Sequence, residues 1–120
     1  MKSKALSYLQ TAPKQGEIIW LDFDPQSGHE QAGRRPALVL SKTAYNQRIG
    51  SAFVCPITSK IKGFPFEFPI NTATVTGVVL CDHLKNIDWK ARNAKMTGEM
   101  VSRFELEQVW ALIDSMVGLS

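Results

Sequence analysis

Short runs in which apolar and polar residues alternate dominate the chain, a pattern typical of half-buried β-strands. In the first run Ile19, Leu21 and Phe23 occupy every second position. Pro65 and Pro69 lie in the fourth run and remove backbone donors there, which indicates an edge or bulged strand. The seven predicted strands are Glu17–Phe23, Pro36–Leu40, Ser51–Ile57, Phe64–Ile70, Val75–Cys81, Ile87–Trp89 and Asn93–Val101.

One amphipathic helix is predicted near the end of the chain. Ser102 and Glu105 have the spacing of a capping box, and Gly118 suits the helix end. Shorter helical segments are predicted over Lys42–Arg48 and Ala5–Thr11. The apolar face of the terminal helix consists of Leu106, Val109, Trp110, Ile113, Met116 and Val117. Short strands with one terminal helix predict a mainly β fold with α, a small twisted barrel that carries a helix.

Composition limits the classes of protein that fit. The 120 residues form one domain, and 44% hydrophobic with 21% charged residues is typical of a globular chain. No apolar run reaches the roughly 20 residues that span a bilayer, and the lysine-bearing N-terminus is a poor signal peptide. Cys55 and Cys81 lie in apolar runs, as buried cysteines do in a reducing compartment. A cytoplasmic location is expected.

Basic residues concentrate in the strand region. The net charge is +3, but Ser102–Val117 alone carries one basic and three acidic groups. The rest therefore holds 13 basic and 8 acidic residues, a net of +5. A phosphate-bearing partner is compatible with this distribution.

The richest mixture of functional groups lies between the first two strands. Asp24-Pro25 opens a turn there, and Gly28 and Gly33 free the backbone on either side of the polar residues. These groups are His29, Glu30, Gln31, Arg34 and Arg35. We predict that function lies in this loop.

Metal and nucleotide motifs are missing from the sequence. His29 and His83 are far apart, and no second ligand pair accompanies Cys81 and His83. Phosphate-loop and dinucleotide glycine motifs do not occur. A reaction without metal or cofactor is therefore predicted. RNA supplies its own nucleophile, the 2′-hydroxyl, so a ribonuclease needs only alignment, proton transfer and stabilisation of charge on phosphorus.

The sequence resembles the MazF/PemK (Kid) family of toxin endoribonucleases from about Gly16 to about Gly118, which leaves residues 1–15 as an N-terminal extension to a toxin domain over residues 16–120. The motifs that carry the resemblance are G-E-I-I-W-L-D-F-D-P at 16–25, G-H-E-Q-A-G-R-R-P-A-L-V-L-S at 28–41, P-I-T-S-K at 56–60, K-G-F-P-F-E at 62–67 and G-V-V-L-C-D-H at 77–83. The resemblance implies an SH3-like barrel that forms a homodimer.

The resemblance also implies an active centre built on Arg35 and Thr58. Arg35 matches the arginine of the family's R-P motif, and its planar fork fits two phosphate oxygens. The alternative is a structural arginine paired with Glu30 or Asp82. Thr58 matches the family's catalytic threonine; the alternative is a turn or cap residue.

The proton acceptor has several candidates. Glu30 matches a loop acid of the MazF branch, and Asp82 matches an acid of the Kid branch. The Kid branch has an arginine two positions before that acid, where this chain has Leu80, so a Kid-type pair is in question. His83 is a third candidate, because the imidazole group commonly transfers protons near neutral pH.

Secondary RNA contacts are expected from both loops. His29, Gln31 and Arg34 belong to the first loop, and Arg34 is the weaker of the two arginines. In the second loop Lys60, Lys62 and Phe64 alternate charge and ring, a pattern that suits a single strand with one stacked base. The alternative is a solvated hairpin loop whose lysines face solvent while Phe64 packs in the core of the protein.

These features together predict a metal-independent endoribonuclease of single-stranded RNA, the toxin of a toxin–antitoxin pair with an acidic antitoxin. Two alternatives from other classes share the fold. One is a CcdB-like inhibitor of DNA gyrase, against which the presence of Arg35 and Thr58 argues. The other is an SH3-like module that binds RNA without cleaving it.

Overall fold

The computed structural model describes residues 11–23 and 33–120. Its strands are β1 Glu17–Phe23, β2 Gly33–Val39, β3 Ser51–Thr58, β4 Glu67–Asn71, β5 Thr76–Leu80, β6 Lys85–Asp88 and β7 Lys95–Met100, and its helices are α1 Thr43–Ile49 and α2 Arg103–Val117. Seven strands and two helices thus occur where the sequence predicts them, with shifted ends. The helix predicted over Ala5–Thr11 lies outside the described residues except for Thr11.

The strands form one antiparallel sheet in the order β4-β5-β3-β2-β1-β7, and β6 pairs with β3. β5 and β6 share one edge of β3, because β5 pairs with Ile57 and Thr58 while β6 pairs with Ser51–Val54. Strand β4 is at the end of the order, as the prolines of the predicted strand indicated, although only Pro69 lies within β4 and Pro65 precedes it. It begins at Glu67 instead of Phe64, because residues 61–66 form a turn and extended chain.

The central strands are buried on both faces. On one face Ile18, Leu38 and Cys55 pack with β5 and with Val109 and Ile113 of α2. The other face of the same strands packs in a second cluster, which includes Ile19, Leu21, Phe23, Ala37, Val39, Ala52, Val54, Ile87 and Trp89. The mainly β, barrel-like architecture with a C-terminal helix agrees with the sequence prediction.

The capping box of α2 is confirmed, whereas its packed face is narrower than predicted. The Ser102 hydroxyl accepts a hydrogen bond from the Glu105 amide at 3.1 Å, and the Glu105 carboxylate accepts one from the Ser102 amide at 2.9 Å. Trp110 was expected on the packed face, but it is 55% exposed, and Met116 is also exposed. The buried residues of α2 are Val109 and Ile113, which pack in the core cluster on this face of the sheet.

The last residues of the predicted extension contact α1. Asn46 is fully buried and donates from Nδ2 to the Pro13 carbonyl at 2.9 Å and to the Ser41 carbonyl at 3.1 Å. The Asn46 carbonyl accepts a hydrogen bond from the Trp89 indole at 3.1 Å. This one side chain therefore ties residues 11–15 to α1, since unsatisfied buried amides are costly.

The two cysteines lie in the interior of the protein. Cys55 and Cys81 are buried free thiols, as predicted, and burial raises the pKa of each. No helix in these ranges is long and apolar enough to cross a membrane.

A single carboxylate links the two ends of the strand order. Glu99 on β7 accepts hydrogen bonds from the loop between β4 and β5: from the Thr72 hydroxyl at 2.7 Å, from the Ala73 amide at 2.8 Å, and from the amide and hydroxyl of Thr74. No ladder joins β4 to β7 between residues 33 and 120. Glu99 therefore holds the curled sheet together where backbone pairing does not.

We expect this closure to depend on pH. Hydrogen bonds from Thr72 and Thr74 lower the pKa of Glu99 below its ordinary value of 4.5. A lowered folded-state pKa stabilises the protein above the unfolded-state pKa, and the stabilisation is lost as pH falls through the folded-state pKa. The Tm of wild type should exceed that of Glu99→Gln at neutral pH, and the difference should shrink as pH falls below 4.5 toward the lowered folded-state pKa. Thermal unfolding from pH 3 to 7 measures this.

Glu107→Gln is the matched control, because Glu107 is exposed on α2 and pairs with Arg103 at 3.0 Å. Its Tm difference from wild type should be small throughout, as for exposed ion pairs. A Glu99→Gln difference that does not change between pH 7 and pH 3 would contradict the closure by this carboxylate.

Candidate active site

Arg35 of β2 and Thr58 of β3 lie near the same end of two paired strands. β2 and β3 pair through Ala37 with Pro56, Leu38 with Cys55 and Val39 with Val54, and the ladder ends there. If this antiparallel register continued for two more residues, Arg35 would lie opposite Thr58. Residues opposite one another in an antiparallel pair share a face, with Cβ atoms about 5 Å apart.

The surroundings of Arg35 are half-buried. It pairs with Leu21 of β1, whose side chain belongs to the core cluster on that face. Successive residues of a strand face opposite sides, so Arg35 shares the face of Leu21 and Thr58 while Arg34 lies on the other. The planar guanidinium of an arginine offers several donors in a fixed fork, which suits two phosphate oxygens.

The Thr58 hydroxyl is fixed by the chain that follows it. Thr58 is 4% exposed, pairs with Val78 of β5, and accepts a hydrogen bond on Oγ1 from the Lys60 amide at 3.1 Å. This bond uses an acceptor position of the hydroxyl and not its proton, because a hydroxyl has two acceptor positions and one donor. Thr58 can therefore donate to an anionic oxygen without losing the Lys60 contact.

Arg34 is held by structural partners. Its Nη1 lies 2.9 Å from Asp22 Oδ1, and its Nη2 donates to the Asn93 carbonyl at 3.0 Å. Asn93 in turn donates to Asp22 Oδ2 at 2.8 Å. Hydrogen bonds from Asn93 and Arg34 lower the pKa of Asp22. These contacts join β1, β2 and the turn before β7. The contact of Arg34 with RNA remains a prediction.

The loop after Thr58 is anchored by an acid that the sequence analysis did not identify. Glu67 is buried and accepts hydrogen bonds from the amides of Lys62 at 3.2 Å and Gly63 at 2.9 Å. The Glu67 amide donates back to the Phe64 carbonyl at 3.1 Å. The sequence did carry a signal for this role, namely a lone acidic residue next to aromatic residues at the start of a strand. Glu67 gives residues 60–66 a defined shape beside Thr58.

This loop presents charge and rings to solvent. Lys60 and Lys62 are exposed, and Phe64 is 48% exposed. Phe64 stacks on Phe66, with ring centroids 5.3 Å apart and planes at 26°. The alternative that placed Phe64 in the core does not hold, and the exposed ring suits base stacking.

Asp82 and His83 lie in the turn between β5 and β6, beside β3. Asp82 is exposed and His83 is half-buried, and His83 Nε2 lies 3.7 Å from Asp82 Oδ1. Within the described ranges His83 Nδ1 is buried and has no hydrogen-bond partner. Because β5 pairs with Thr58 and β6 with Val54, this turn passes the β3 residues between them.

The predicted residues His29, Glu30 and Gln31 lie outside the described residues. Phe23 and Gly33, on either side of that segment, pair with one another at the β1–β2 end of the sheet. Arg35 is two positions from Gly33, so the segment is attached at the same end of the sheet as Arg35 and Thr58. No group of three His, Cys, Asp or Glu side chains in the described parts of the chain could hold a metal ion.

Comparison with known proteins decides the family. A family model described as PemK-like, MazF-like toxin of type II toxin-antitoxin system matches residues 14–117. The endoribonuclease toxin MazF of Escherichia coli strain K12 is 42% identical over 106 residues, which cover 88% of this chain and 95% of that protein. The chain belongs to this toxin family.

Solved structures of this toxin family share the fold. A crystal structure of MazF from Deinococcus radiodurans matches with a TM-score of 0.85 and 43% identity, covering 92% of this chain and all of that one. A MazE–MazF structure from the same organism matches with a TM-score of 0.81 and 44% identity over the same shares. The Arg35–Thr58 end of the sheet is therefore a candidate active site on a toxin-family fold.

Proposed function

We propose that the chain is the endoribonuclease toxin of a type II toxin–antitoxin system and cleaves single-stranded RNA without a metal. The observation that supports the proposal is the register of β2 and β3, whose continuation beyond Ala37 and Pro56 would put Arg35 opposite Thr58. The names of the similar proteins, endoribonuclease toxin MazF among them, support catalysis over a gyrase inhibitor or a binding-only module. We place the activity in the cytoplasm, where buried free thiols are usual.

Arg35 and Thr58 have complementary roles in this mechanism. The guanidinium binds the scissile phosphate and neutralises the charge that grows on its oxygens, and the Thr58 hydroxyl donates a further hydrogen bond. The RNA 2′-oxygen attacks phosphorus, and the bond from phosphorus to the 5′-oxygen breaks. The products are a 2′,3′-cyclic phosphate and a 5′-hydroxyl. No metal is required, because the substrate supplies the nucleophile and arginine supplies the positive charge.

Two proton transfers complete the reaction. Glu30 accepts the proton of the 2′-hydroxyl in the leading version, and Asp82 or His83 is the alternative. The leaving 5′-oxygen receives a proton from a conjugate acid in the same group of residues.

The flanking loops bind the rest of the strand. Lys60 and Lys62 contact phosphates, Phe64 stacks with one base, and His29, Gln31 and Arg34 contribute from the first loop. The stacked Phe64–Phe66 pair and the Glu67 anchor support this assignment, because a preformed platform loses little entropy on binding.

Substitutions at the paired residues test the proposal. Arg35→Ala should lower the single-turnover cleavage rate by about two orders of magnitude or more, since removing one preorganised donor to a transition-state oxyanion costs that much. Thr58→Val, which keeps the shape and removes the hydroxyl, should lower the rate by at least about tenfold. Arg48→Ala on α1 is the control for loss of an exposed arginine and should cleave normally. Near-normal cleavage by Arg35→Ala would return Arg35 to a structural role.

We also propose a homodimer that buries an exposed apolar face. Phe53, Leu84 and Trp110 line a groove of about 470 Å³ together with Leu40, and Tyr45 lies against Phe53 with ring centroids 5.8 Å apart. Contiguous exposed apolar surface on a small domain commonly marks an interface. Two copies related by a twofold axis would bury the same face on each.

Light scattering at micromolar concentration should give about twice the 13.4 kDa chain mass. Trp110→Lys should shift the mass toward the monomer, because a charge cannot be buried there without a partner. Phe104→Lys is the control, since Phe104 is exposed on α2 but does not line the groove. A monomeric wild type would contradict the proposal.

The antitoxin is proposed to be an acidic chain that excludes RNA from the same site. Its carboxylates would pair with Arg35, Lys60 and Lys62, while apolar contacts offset the cost of ordering it. RNA affinity should fall steeply with salt, and antitoxin affinity should fall less. A competition titration with a 2′-deoxy-blocked RNA at two salt concentrations measures both. A ternary complex with undiminished RNA affinity would show separate sites.

A further inference from the structure

Gly77 lies against the backbone of Thr58 more closely than any side chain would allow. It is the second residue of β5, buried, and paired with Ile70 of β4. A Cβ placed on Gly77 would lie 2.2 Å from the Thr58 carbonyl oxygen, 2.9 Å from the Thr58 carbonyl carbon and 3.2 Å from Ser59 Cα. All three contacts are to backbone atoms, so no change of rotamer can relieve them.

The need for glycine here comes from space and not from backbone conformation. Gly77 lies outside the set of positive-φ glycines, so an alanine could adopt its φ without strain. Real Cβ atoms essentially never come within 3.0 Å of another heavy atom, so the Thr58 carbonyl would have to move at least 0.8 Å, from 2.2 to 3.0 Å. The signal in the sequence was a glycine inside a strand pattern, which often marks a close approach of another backbone.

That carbonyl belongs to the residue whose hydroxyl the proposed mechanism uses. The Thr58–Ser59 peptide leads directly to Lys60, whose amide donates to Thr58 Oγ1. A shift of the peptide therefore moves the Thr58 side chain and disturbs its bond to the Lys60 amide, while Glu67 still holds the amides of Lys62 and Gly63. Misplacement of a reacting group by about 1 Å can lower a rate about 100-fold.

We propose that Gly77 is a positioning residue: its missing side chain lets β5 seat against the Thr58–Ser59 peptide and thereby aims the Thr58 hydroxyl at the scissile phosphate. The inference rests on the proposed role of Thr58. Gly77 itself touches neither substrate nor reacting atoms. Its effect should consequently appear in the rate of the chemical step and only through Thr58.

Kinetics of Gly77→Ala test the inference. The single-turnover rate at saturating enzyme should fall about 10-fold to 100-fold. The Kd for an uncleavable 2′-deoxy-blocked RNA should change less than about threefold, because the lysines and Phe64 remain. In NMR spectra of isotope-labelled protein, the chemical shift of the Lys60 amide should change, because its hydrogen bond to Thr58 is disturbed. Val109→Ala is the control for lost core packing under α2, and it should lower Tm while leaving the rate and the Lys60 signal unchanged.

A double-mutant cycle separates positioning from general damage. If Gly77 acts through the hydroxyl, then Gly77→Ala in the Thr58→Val background should change the remaining rate by less than about threefold. Multiplicative losses would overturn the inference, and so would a normal rate for Gly77→Ala when Thr58→Val is slow. A normal rate for Thr58→Val would instead overturn the proposed role of Thr58, on which the inference rests.

Folding of the variant is checked by a second one. If Gly77→Ala does not fold, the double variant Gly77→Ala/Ser59→Gly would be used, because glycine at position 59 gives the displaced peptide more conformational freedom. A folded but slow double variant would support positioning. Failure of both variants to fold would assign Gly77 to the stability of the whole barrel and overturn the inference.

Discussion

The register of the three central strands is the constraint on which the rest of the structure depends. The buried apolar side chains of β1, β2 and β3 are divided between two separate core clusters, one on each face. A slip of one residue would exchange the two sets and mismatch both cores. It would also place Arg34, instead of Arg35, on the face of Thr58. The packing that stabilises the sheet thus also selects which arginine reaches the site.

Carboxylates complete the fold where backbone pairing stops. Glu17 accepts hydrogen bonds from the amides of Lys14 and Gly98, Glu67 holds the loop after Thr58, and Glu99 holds the loop between β4 and β5. A carboxylate accepts several amide hydrogens at once, and charge-assisted hydrogen bonds are stronger than neutral ones. From composition alone, these acids would be assigned to the solvent-exposed surface or to catalysis. In this structure they instead fix the shape of the loops around the barrel.

Local patterns predicted the elements well, because alternation and capping are encoded by near neighbours. All seven strands and the capped helix α2 occur, and the edge position of β4 follows from Pro65 and Pro69. The exposure of Trp110 was not predicted, because helical periodicity gives the direction of a face but not how much of it the sheet covers. Glu67 and Gly77 were also not recognised, since their partners are backbone atoms of other segments. Arg35 and Thr58 were paired through family resemblance, and the β2–β3 register, continued two residues beyond Ala37 and Pro56, is compatible with that pairing.

The central claim is that Arg35 and Thr58 support RNA transesterification with the substrate's own 2′-hydroxyl, and analysis of the product ends tests it most directly. A single-stranded RNA that contains one cleavage site would be incubated in EDTA with wild type and, separately, with Arg35→Ala. A matched RNA with one 2′-deoxy residue at that site would be incubated with wild type in the same way. The account predicts 5′-hydroxyl and 2′,3′-cyclic phosphate ends from wild type alone, with the 2′-deoxy substrate left intact. Products with 5′-phosphate ends, or cleavage at the 2′-deoxy position, would contradict it.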